Sequence, residues 1–435
     1  MKCGFYEMDI TPKLGSIIPG GFAARYAENV QEPLFARAFV AETEQSSLAV
    51  VVVDACGITE DIPLRVRERV AQLTPIPAEN VMLIATHCHG GGPTLNWGEE
   101  VVTDPEYLTL LVNRAADSIA LAYFRAEESE LVKGREELYG VAFIRDYLMK
   151  DGTYKTNPSR NEPEKIERPC TELDPEVLVI GVRQGGKQIG TIVNFANHPA
   201  IVAKRNISSD YIHYLSEGMK KEFGQEHVTV FINGALGNVN HFNPFDPETY
   251  QPGRHIIVGE RLAEAAIAAL RSAQPMKENS LACASSRITV RFRKPSLEYL
   301  EAAKQTLESW GDDLINRTPK TPEYTKVFYA MQAFRFMADK RTQRELPLQL
   351  MRVGDVYIAG TPIQMYTEFG KAIKKGLPSA AMVSAFANDY AGYVPTPDLI
   401  GQPGIYEARL CPTSALEADT GDAVVQGIID LQAAL

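Results

Sequence analysis

Hydrophobic and polar positions follow two different periods along this chain, and together they predict strands interleaved with helices. Short apolar runs that end at turn residues predict strands, whereas apolar residues recurring every three to four positions predict helices. The predicted strands cover 47–54, 81–85, 177–182, 188–195, 228–232, 348–353 and 356–359. The predicted helices cover 60–73, 105–123, 256–271, roughly 297–310 and 322–340, a segment starting near Tyr366, and 421–433.

This pattern indicates one α/β domain over residues 1–435, built from mixed β-sheets flanked by helices. The length would allow two average domains, but no flexible linker and no internal repeat divides the sequence. The two helices near 295–345 are predicted to form a helical insertion. Residues 146–173 are rich in Asp, Lys, Asn, Pro and Glu without a period, which predicts a long loop of a kind that is often functional.

Charge and composition exclude several classes of function. The formal net charge of −11 argues against a nucleic-acid partner, since phosphate binding needs clustered Lys and Arg. The N-terminus has no apolar h-region and no run approaches the roughly 20 apolar residues of a membrane span. The six cysteines show no CxxC spacing, so free thiols and a cytoplasmic location are expected.

The chemistry-bearing residues that stand out most follow the predicted strand 81–85. His87-Cys88-His89 comes next and is followed by three glycines. Side chains two apart on a strand point to the same face, so His87 and His89 are expected to enter one pocket as part of a metal site. The alternative is that both histidines are ordinary polar residues that cap a strand.

Two further groups of polar residues also follow predicted strands. His198 lies in Asn197-His198-Pro199, and a lone histidine there is more often a hydrogen-bonded core residue than a ligand. Tyr390, Tyr393 and Tyr406 follow the apolar run 382–387, where tyrosines usually pack and find a polar partner for the hydroxyl. Each group is weak on its own.

Taken in order, these segments resemble the neutral/alkaline (non-lysosomal) ceramidase family, in its zinc-dependent catalytic domain. The resemblance runs from residue 9 to about 410. The matching segments are Asp9-Ile10-Thr11-Pro12, Ala85-Thr86-His87-Cys88-His89-Gly90-Gly91-Gly92-Pro93, Asp174-Pro175-Glu176-Val177, Phe195-Ala196-Asn197-His198-Pro199, Ile207-Ser208-Ser209-Asp210-Tyr211, Asn233-Gly234-Ala235-Leu236-Gly237-Asn238, and Asn388-Asp389-Tyr390-Ala391-Gly392-Tyr393 with Tyr406-Glu407-Ala408.

The resemblance implies a neutral-ceramidase-like catalytic domain that holds Zn²⁺ through His87, His198 and Tyr393. The family's remaining ligand is a glutamate six residues before a helical glycine, and counting back from Gly370 gives Gln364. An amide oxygen can bind zinc but brings no negative charge. Glu368, one helical turn further on, is the alternative ligand, although position favours Gln364.

The resemblance also implies the catalytic residues Arg145 and Tyr406, and His89, one strand step from the ligand His87, is expected near the metal-bound water. His89 fits general acid/base work, and Arg145 and Tyr406 would stabilise developing negative charge on the substrate carbonyl. Without the resemblance, spacing alone would favour a surface ion pair for Arg145, with Asp146 or Glu137.

The predicted function is therefore a zinc-dependent hydrolase in which metal-activated water attacks an amide carbonyl. The chain stops soon after the tyrosine segment, without the family's C-terminal immunoglobulin-like domain, so a small soluble substrate is expected rather than ceramide. The alternatives are a zinc hydrolase of an ester, lactone or glycoside, or a catalytically silent metal- or ligand-binding homologue. The sequence indicates no particular oligomeric state.

Overall fold

The computed structural model describes residues 1–21, 24–97, 101–202, 205–310 and 322–435, without the side chains of 322–325. In these ranges the helices are α1 (Asp61–Leu73), α2 (Pro105–Phe124), α3 (Tyr211–Phe223), α4 (Arg254–Arg271), α5 (Leu297–Trp310), α6 (Pro322–Ala338), α7 (Thr367–Gly376) and α8 (Thr420–Leu431). Helix α3 was missed, and the other seven lie where the period of apolar residues predicts a helix.

The strands are more numerous than the apolar runs indicate. They are β1 (Lys2–Asp9), β2 (Asn29–Val30), β3 (Phe35–Glu42), β4 (Ser47–Val53), β5 (Val81–Ala85), β6 (Glu127–Glu128), β7 (Glu130–Glu137), β8 (Phe143–Ile144), β9 (Asp146–Met149), β10 (Tyr154–Thr156), β11 (Ile166–Pro169), β12 (Glu176–Gln184), β13 (Lys187–Phe195), β14 (Asn206–Ile207), β15 (Val228–Asn233), β16 (Val239–Asn240), β17 (Gln274–Pro275), β18 (Leu281–Arg291), β19 (Gln343–Val353), β20 (Val356–Gly360), β21 (Gln364–Met365), β22 (Ala381–Ser384) and β23 (Tyr393–Val394).

Three larger sheets form the frame. Their strand orders are β5-β4-β3-β1-β6, β15-β13-β12-β7-β17 and β18-β19-β20-β22. Each contains one parallel pair, β4 with β5, β13 with β15, and β20 with β22, and its other pairs are antiparallel. The predicted α/β class with mixed sheets flanked by helices is confirmed.

The core lies between these sheets and under the helices. One buried cluster joins Val50 and Ile84 of the first sheet, Ile192 and Val230 of the second, and Ile358 of the third. Helices α1 and α2 pack beside the first sheet, α3 and α4 beside the second, and α7 and α8 beside the third. Burial of these apolar faces is the main favourable contribution to folding, at roughly 25 cal/mol per Å².

Residues 146–173 do not form the long loop that their polar composition predicts. They contain a three-stranded sheet in the order β10-β9-β11. Backbone pairing supplies the hydrogen bonds of this sheet. The side chains of Tyr147 in β9 and Ile166 in β11 are buried. Because β10 has no buried residue and β11 only Ile166, the segment lacks the alternation of buried apolar and exposed polar positions that marks a strand packed on one face.

Helices α5 and α6 lie between the paired strands β18 and β19, where the helical insertion is expected. Ala303, Ala330 and Ala333 form a small core of their own between the two helices. No helix in the described ranges has both the length and the apolar character needed to cross a membrane.

Candidate metal centre

The candidate site lies where the carboxyl ends of the three parallel strand pairs meet. His87 and His89 follow β5, His198 follows β13, and Gln364 lies beyond β20. The backbone links β5 to the segment that follows β22, because Ala85 N–H donates to Phe386 O at 3.0 Å. Ligands commonly bind outside the carboxyl ends of parallel strands, where loop residues converge.

His87 and His89 converge, but not by strand alternation. Strand β5 ends at Ala85, and His87 has a φ of 66°, in the left-handed region that non-glycine residues seldom adopt. Its ring stacks on Phe386 with centroids 4.2 Å apart. The Nε2 atoms of His87 and His89 then lie 3.3 Å apart. The expectation that both leave one face of a strand was wrong, since the turn after the strand brings them together.

Backbone carbonyls hold two of the imidazoles in a defined tautomer. His87 Nδ1 lies 2.5 Å from Cys56 O, and His198 Nδ1 lies 2.8 Å from Val239 O. A carbonyl only accepts hydrogen bonds, so each Nδ1 carries the proton and each Nε2 keeps its lone pair. Burial lowers the pKa of both rings well below the usual value, which keeps them neutral. This arrangement is typical of histidine ligands to metals.

Gln364 lies between these two rings and is fully buried. Its Nε2 is 2.8 Å from His87 Nε2 and 3.1 Å from His198 Nε2, and its Oε1 accepts a hydrogen bond from Tyr390 at 3.2 Å. Glu368, the alternative ligand, accepts a hydrogen bond from Asn238 Nδ2 at 3.1 Å instead. The structure therefore brings Gln364, and not Glu368, to the histidines.

Tyr393, Tyr406 and Arg145 lie next to His198. Tyr393 Oη is 3.4 Å from His198 Nε2, and the Tyr406 ring meets Tyr393 edge-on at 5.8 Å. The guanidinium carbon of Arg145 is 5.3 Å from the centre of the Tyr393 ring. Arg145 is buried and donates to Gly237 O at 2.7 Å, so the surface ion pair with Asp146 or Glu137 was a wrong expectation.

A small cavity of about 70 Å³ opens at these groups. It is lined by Gly20, Gly21, His87, His89, Trp97, Gln364, Tyr390, Tyr393, Tyr406 and Thr413. Burial, with further contributions from Arg25 and Arg145, lowers the pKa of His89 to about 4. The His89 ring is therefore a neutral group at the cavity wall at pH 7.

The donor set fits a zinc ion. A tetrahedral zinc about 2.0–2.1 Å from its ligands separates them by roughly 3.3–3.4 Å. The separation from His198 Nε2 to Tyr393 Oη, 3.4 Å, matches that geometry. Cys56, His87 and His89 also have possible ligand atoms within 4.8 Å of one another. The Cys56 sulfur, however, lies 3.9 Å from the protonated Nδ1 of His87, away from the Nε2 lone pair.

Sequence reasoning missed two residues of this site. Glu407 is fully buried and pairs with Arg145, and its Oε2 accepts a hydrogen bond from Thr156 at 3.1 Å. Tyr390 was expected to pack and to find a polar partner for its hydroxyl, but it was not assigned to the site, and that partner is Gln364. The available signal for Glu407 was a lone carboxylate directly after Tyr406 in a motif that had already been singled out.

Replacing Glu407 with glutamine should destabilise the protein by about 3 to 5 kcal/mol, because it leaves the buried charge of Arg145 without its partner. Denaturant unfolding measures the change. The matched control is Asp419→Asn, which removes the partner of Arg291 from a pair in which both side chains are more than half exposed. Equal losses in the two variants would show that the Arg145–Glu407 pair does not behave as a buried ion pair.

Comparison with known proteins places these residues in context. A sequence model described as "Neutral/alkaline non-lysosomal ceramidase, N-terminal" matches residues 2–245. The crystal structure of neutral ceramidase from Pseudomonas aeruginosa has a TM-score of 0.74 and 21% identity, covering 100% of this chain and 74% of that one. A structure described as "Ceramidase complexed with C2" has a TM-score of 0.73 and 20% identity, and the match covers 100% of this chain and 75% of that one. At such identities the likeness shows the fold. No curated protein matches the chain.

Proposed function

Because the chain belongs to the neutral/alkaline non-lysosomal ceramidase family, we propose that it is a zinc-dependent hydrolase of amide bonds. In this proposal His87, His198, Tyr393 and Gln364 hold the ion. The observation that carries the proposal is the pair of neutral imidazoles whose Nδ1 atoms are held by backbone carbonyls and whose Nε2 atoms both face Gln364.

Zinc, when bound, supplies the Lewis acidity that activates water and polarises a carbonyl. The chain's own residues do the rest. His89 is neutral and faces the cavity, so it can accept a proton and return it to the leaving amine. Arg145 supplies a fixed positive charge and Tyr406 a phenol, and both favour negative charge on the carbonyl oxygen.

Glu407 acts on this site through Arg145. The ion pair with Glu407 and the hydrogen bond to Gly237 O hold the guanidinium beside Tyr393. Charge stabilisation is most effective when the stabilising group is already in position before the reaction begins. Glu407 is therefore a positioning residue, and Arg145, which lies beside Tyr393 and is not among the residues that line the cavity, acts on the carbonyl oxygen through its positive charge.

The size of the cavity supports a substrate that presents a compact carbonyl group to the centre. A volume of about 70 Å³ accommodates a reacting amide and little more, whereas drug-sized ligands occupy roughly 300–1,000 Å³. We assign the chain a small soluble amide as substrate and a cytoplasmic location.

Metal analysis combined with a substrate panel tests this proposal. The panel contains short N-acyl amines, the matching esters, a lactone and a glycoside. Bound zinc with amide turnover that stops on chelation would support the proposal. Turnover of only the esters, lactone or glycoside would replace it with another zinc hydrolase.

A second candidate function is a metal- or ligand-binding protein without catalysis. The observation that favours it is the neutral Gln364, since a zinc site with an amide in place of a carboxylate carries one negative charge less. Zinc binding with no turnover of any compound in the panel would support this candidate.

A further inference from the structure

All strong hydrogen-bonding groups of the Gln364 carboxamide have partners within the centre. Its two N–H groups face His87 Nε2 and His198 Nε2, and its oxygen accepts from Tyr390. Because each imidazole commits its proton to a backbone carbonyl, each Nε2 can only accept. This requirement sets the orientation of the amide, with nitrogen toward the rings and oxygen toward the phenol.

The distances agree with hydrogen bonds. Gln364 Nε2 lies 2.8 and 3.1 Å from the two ring nitrogens, which is within the usual range for N–H donors. Both values are shorter than the roughly 3.3 Å that separates two ligands of one tetrahedral zinc. The amide thus holds both rings in place by its own bonds.

The nitrogen of a neutral carboxamide has no available lone pair for a metal, so zinc must be bound by the oxygen of Gln364. We propose that Gln364 is a turning ligand, whose amide rotates by half a turn when metal binds, and that Tyr390 is the positioning residue that serves both orientations. The Tyr390 hydroxyl donates to Oε1 in one orientation and accepts from Nε2 in the other. The inference rests on the metal site of the proposed function.

Two consequences follow from this exchange of partners. Metal binding forfeits two amide–imidazole hydrogen bonds, so it is weaker than at a centre with a carboxylate. After a chelator has removed the metal, both imidazoles keep their hydrogen bonds to the Gln364 amide, so the stability of the protein depends little on metal. A carboxylate at position 364 would bind zinc more tightly and make stability depend on the metal. It can only accept hydrogen bonds, and without metal it would face two imidazole nitrogens that also only accept, in a buried site.

Thermal unfolding of wild type and Gln364→Glu, with zinc chloride and with EDTA, tests the turning ligand. We expect a small difference between the two conditions in wild type and a difference larger by several degrees in the variant. In competition with a chelating dye, Gln364→Glu should bind zinc about 10-fold or more tightly than wild type. If Gln364→Glu showed the same zinc affinity as wild type, and the same difference in unfolding temperature between zinc and EDTA, the inference would be overturned.

Gln349→Glu is the matched control. Gln349 is buried and hydrogen-bonded to Asn388 Nδ2 at 2.7 Å, away from the histidines. Gln349→Glu also buries a new carboxylate, but at a position that does not contact the histidines. Its difference in unfolding temperature between zinc and EDTA should therefore equal that of wild type, even if the unfolding temperature itself falls. An increase in the zinc dependence of this control equal to that of Gln364→Glu would contradict the role of position 364.

Tyr390→Phe tests the phenol independently. It removes the hydroxyl that binds the amide in both orientations, so the metal-free and the metal-bound protein should lose stability alike. The unfolding temperature should fall by a similar amount with EDTA and with zinc chloride, and zinc affinity should stay close to that of wild type. Tyr123→Phe removes a hydrogen bond to Glu42 of 3.1 Å at a distance from the centre, and its unfolding temperature should fall less. A loss of stability confined to one of the two conditions, or a clearly changed zinc affinity, would show that the hydroxyl serves only one orientation and would remove Tyr390 from the inference.

Failure of this inference and failure of the proposed function are distinguishable, because neither unfolding nor dye competition requires turnover. Zinc-dependent amide hydrolysis together with an unaltered zinc response in Gln364→Glu would overturn the turning ligand alone. The expected zinc response without turnover of any substrate would support the turning ligand and reject the hydrolase.

Discussion

His87→Ala and His198→Ala should each lose most of the zinc that the wild-type protein binds. Each substitution removes one of the two imidazoles that face Gln364, and the remaining imidazole, tyrosine and neutral amide are a weaker donor set for zinc. Metal analysis of the purified variants after dialysis measures the loss. We expect about one zinc per chain in wild type and a small fraction of that in each variant.

His213→Ala is the control for these two variants. His213 is half-buried on α3, where its ring packs edge-on against Tyr214. Its variant should keep the wild-type zinc content. Full zinc retention in both His87→Ala and His198→Ala would show that the ion is held elsewhere. Loss of zinc from His87→Ala alone would favour the group of Cys56, His87 and His89, which Cys56→Ser then tests.

His89→Ala should keep its zinc and lose on the order of 100-fold or more in the rate of amide hydrolysis. The expectation follows from the size of general acid/base effects and from the position of the His89 ring at the cavity wall. Single-turnover kinetics on a variant of known zinc content separates the loss of rate from any loss of metal.

The distance from His89 Nε2 to His87 Nε2, 3.3 Å, also suits two ligands of one ion. Loss of zinc from His89→Ala comparable to that from His87→Ala would therefore make His89 a ligand. Wild-type rates in a zinc-loaded His89→Ala would remove it from both roles.

Local patterns predicted most of the helices and the inner strands. Residues 81–85 form a buried strand because five consecutive apolar side chains can be accommodated only between layers. The period of the apolar residues in α2 fixes which side packs on β1 and β3. The short strands β9, β10 and β11 escaped prediction because their outer residues are exposed and polar, and backbone pairing rather than apolar burial defines them.

Apart from the pair His87 and His89, the sequence named candidate site residues only through the family resemblance, and their geometry was not readable. The resemblance implied His87, His198, Gln364, Tyr393, Arg145 and Tyr406. Strand alternation does not place His87, because a left-handed turn cannot be seen in a sequence without a glycine at that position.

The sequence by itself determined the class of fold, the family and the set of polar residues from which a metal centre could be built. Only the tertiary structure decided that Gln364 rather than Glu368 faces the histidines, that Glu407 rather than Asp146 or Glu137 is the partner of Arg145, and that Tyr390 binds the amide. Gln364 and His87 are separated by 277 positions along the chain. Such contacts depend on how whole sheets meet, and local apolar periodicity carries no information about the relative placement of elements so far apart.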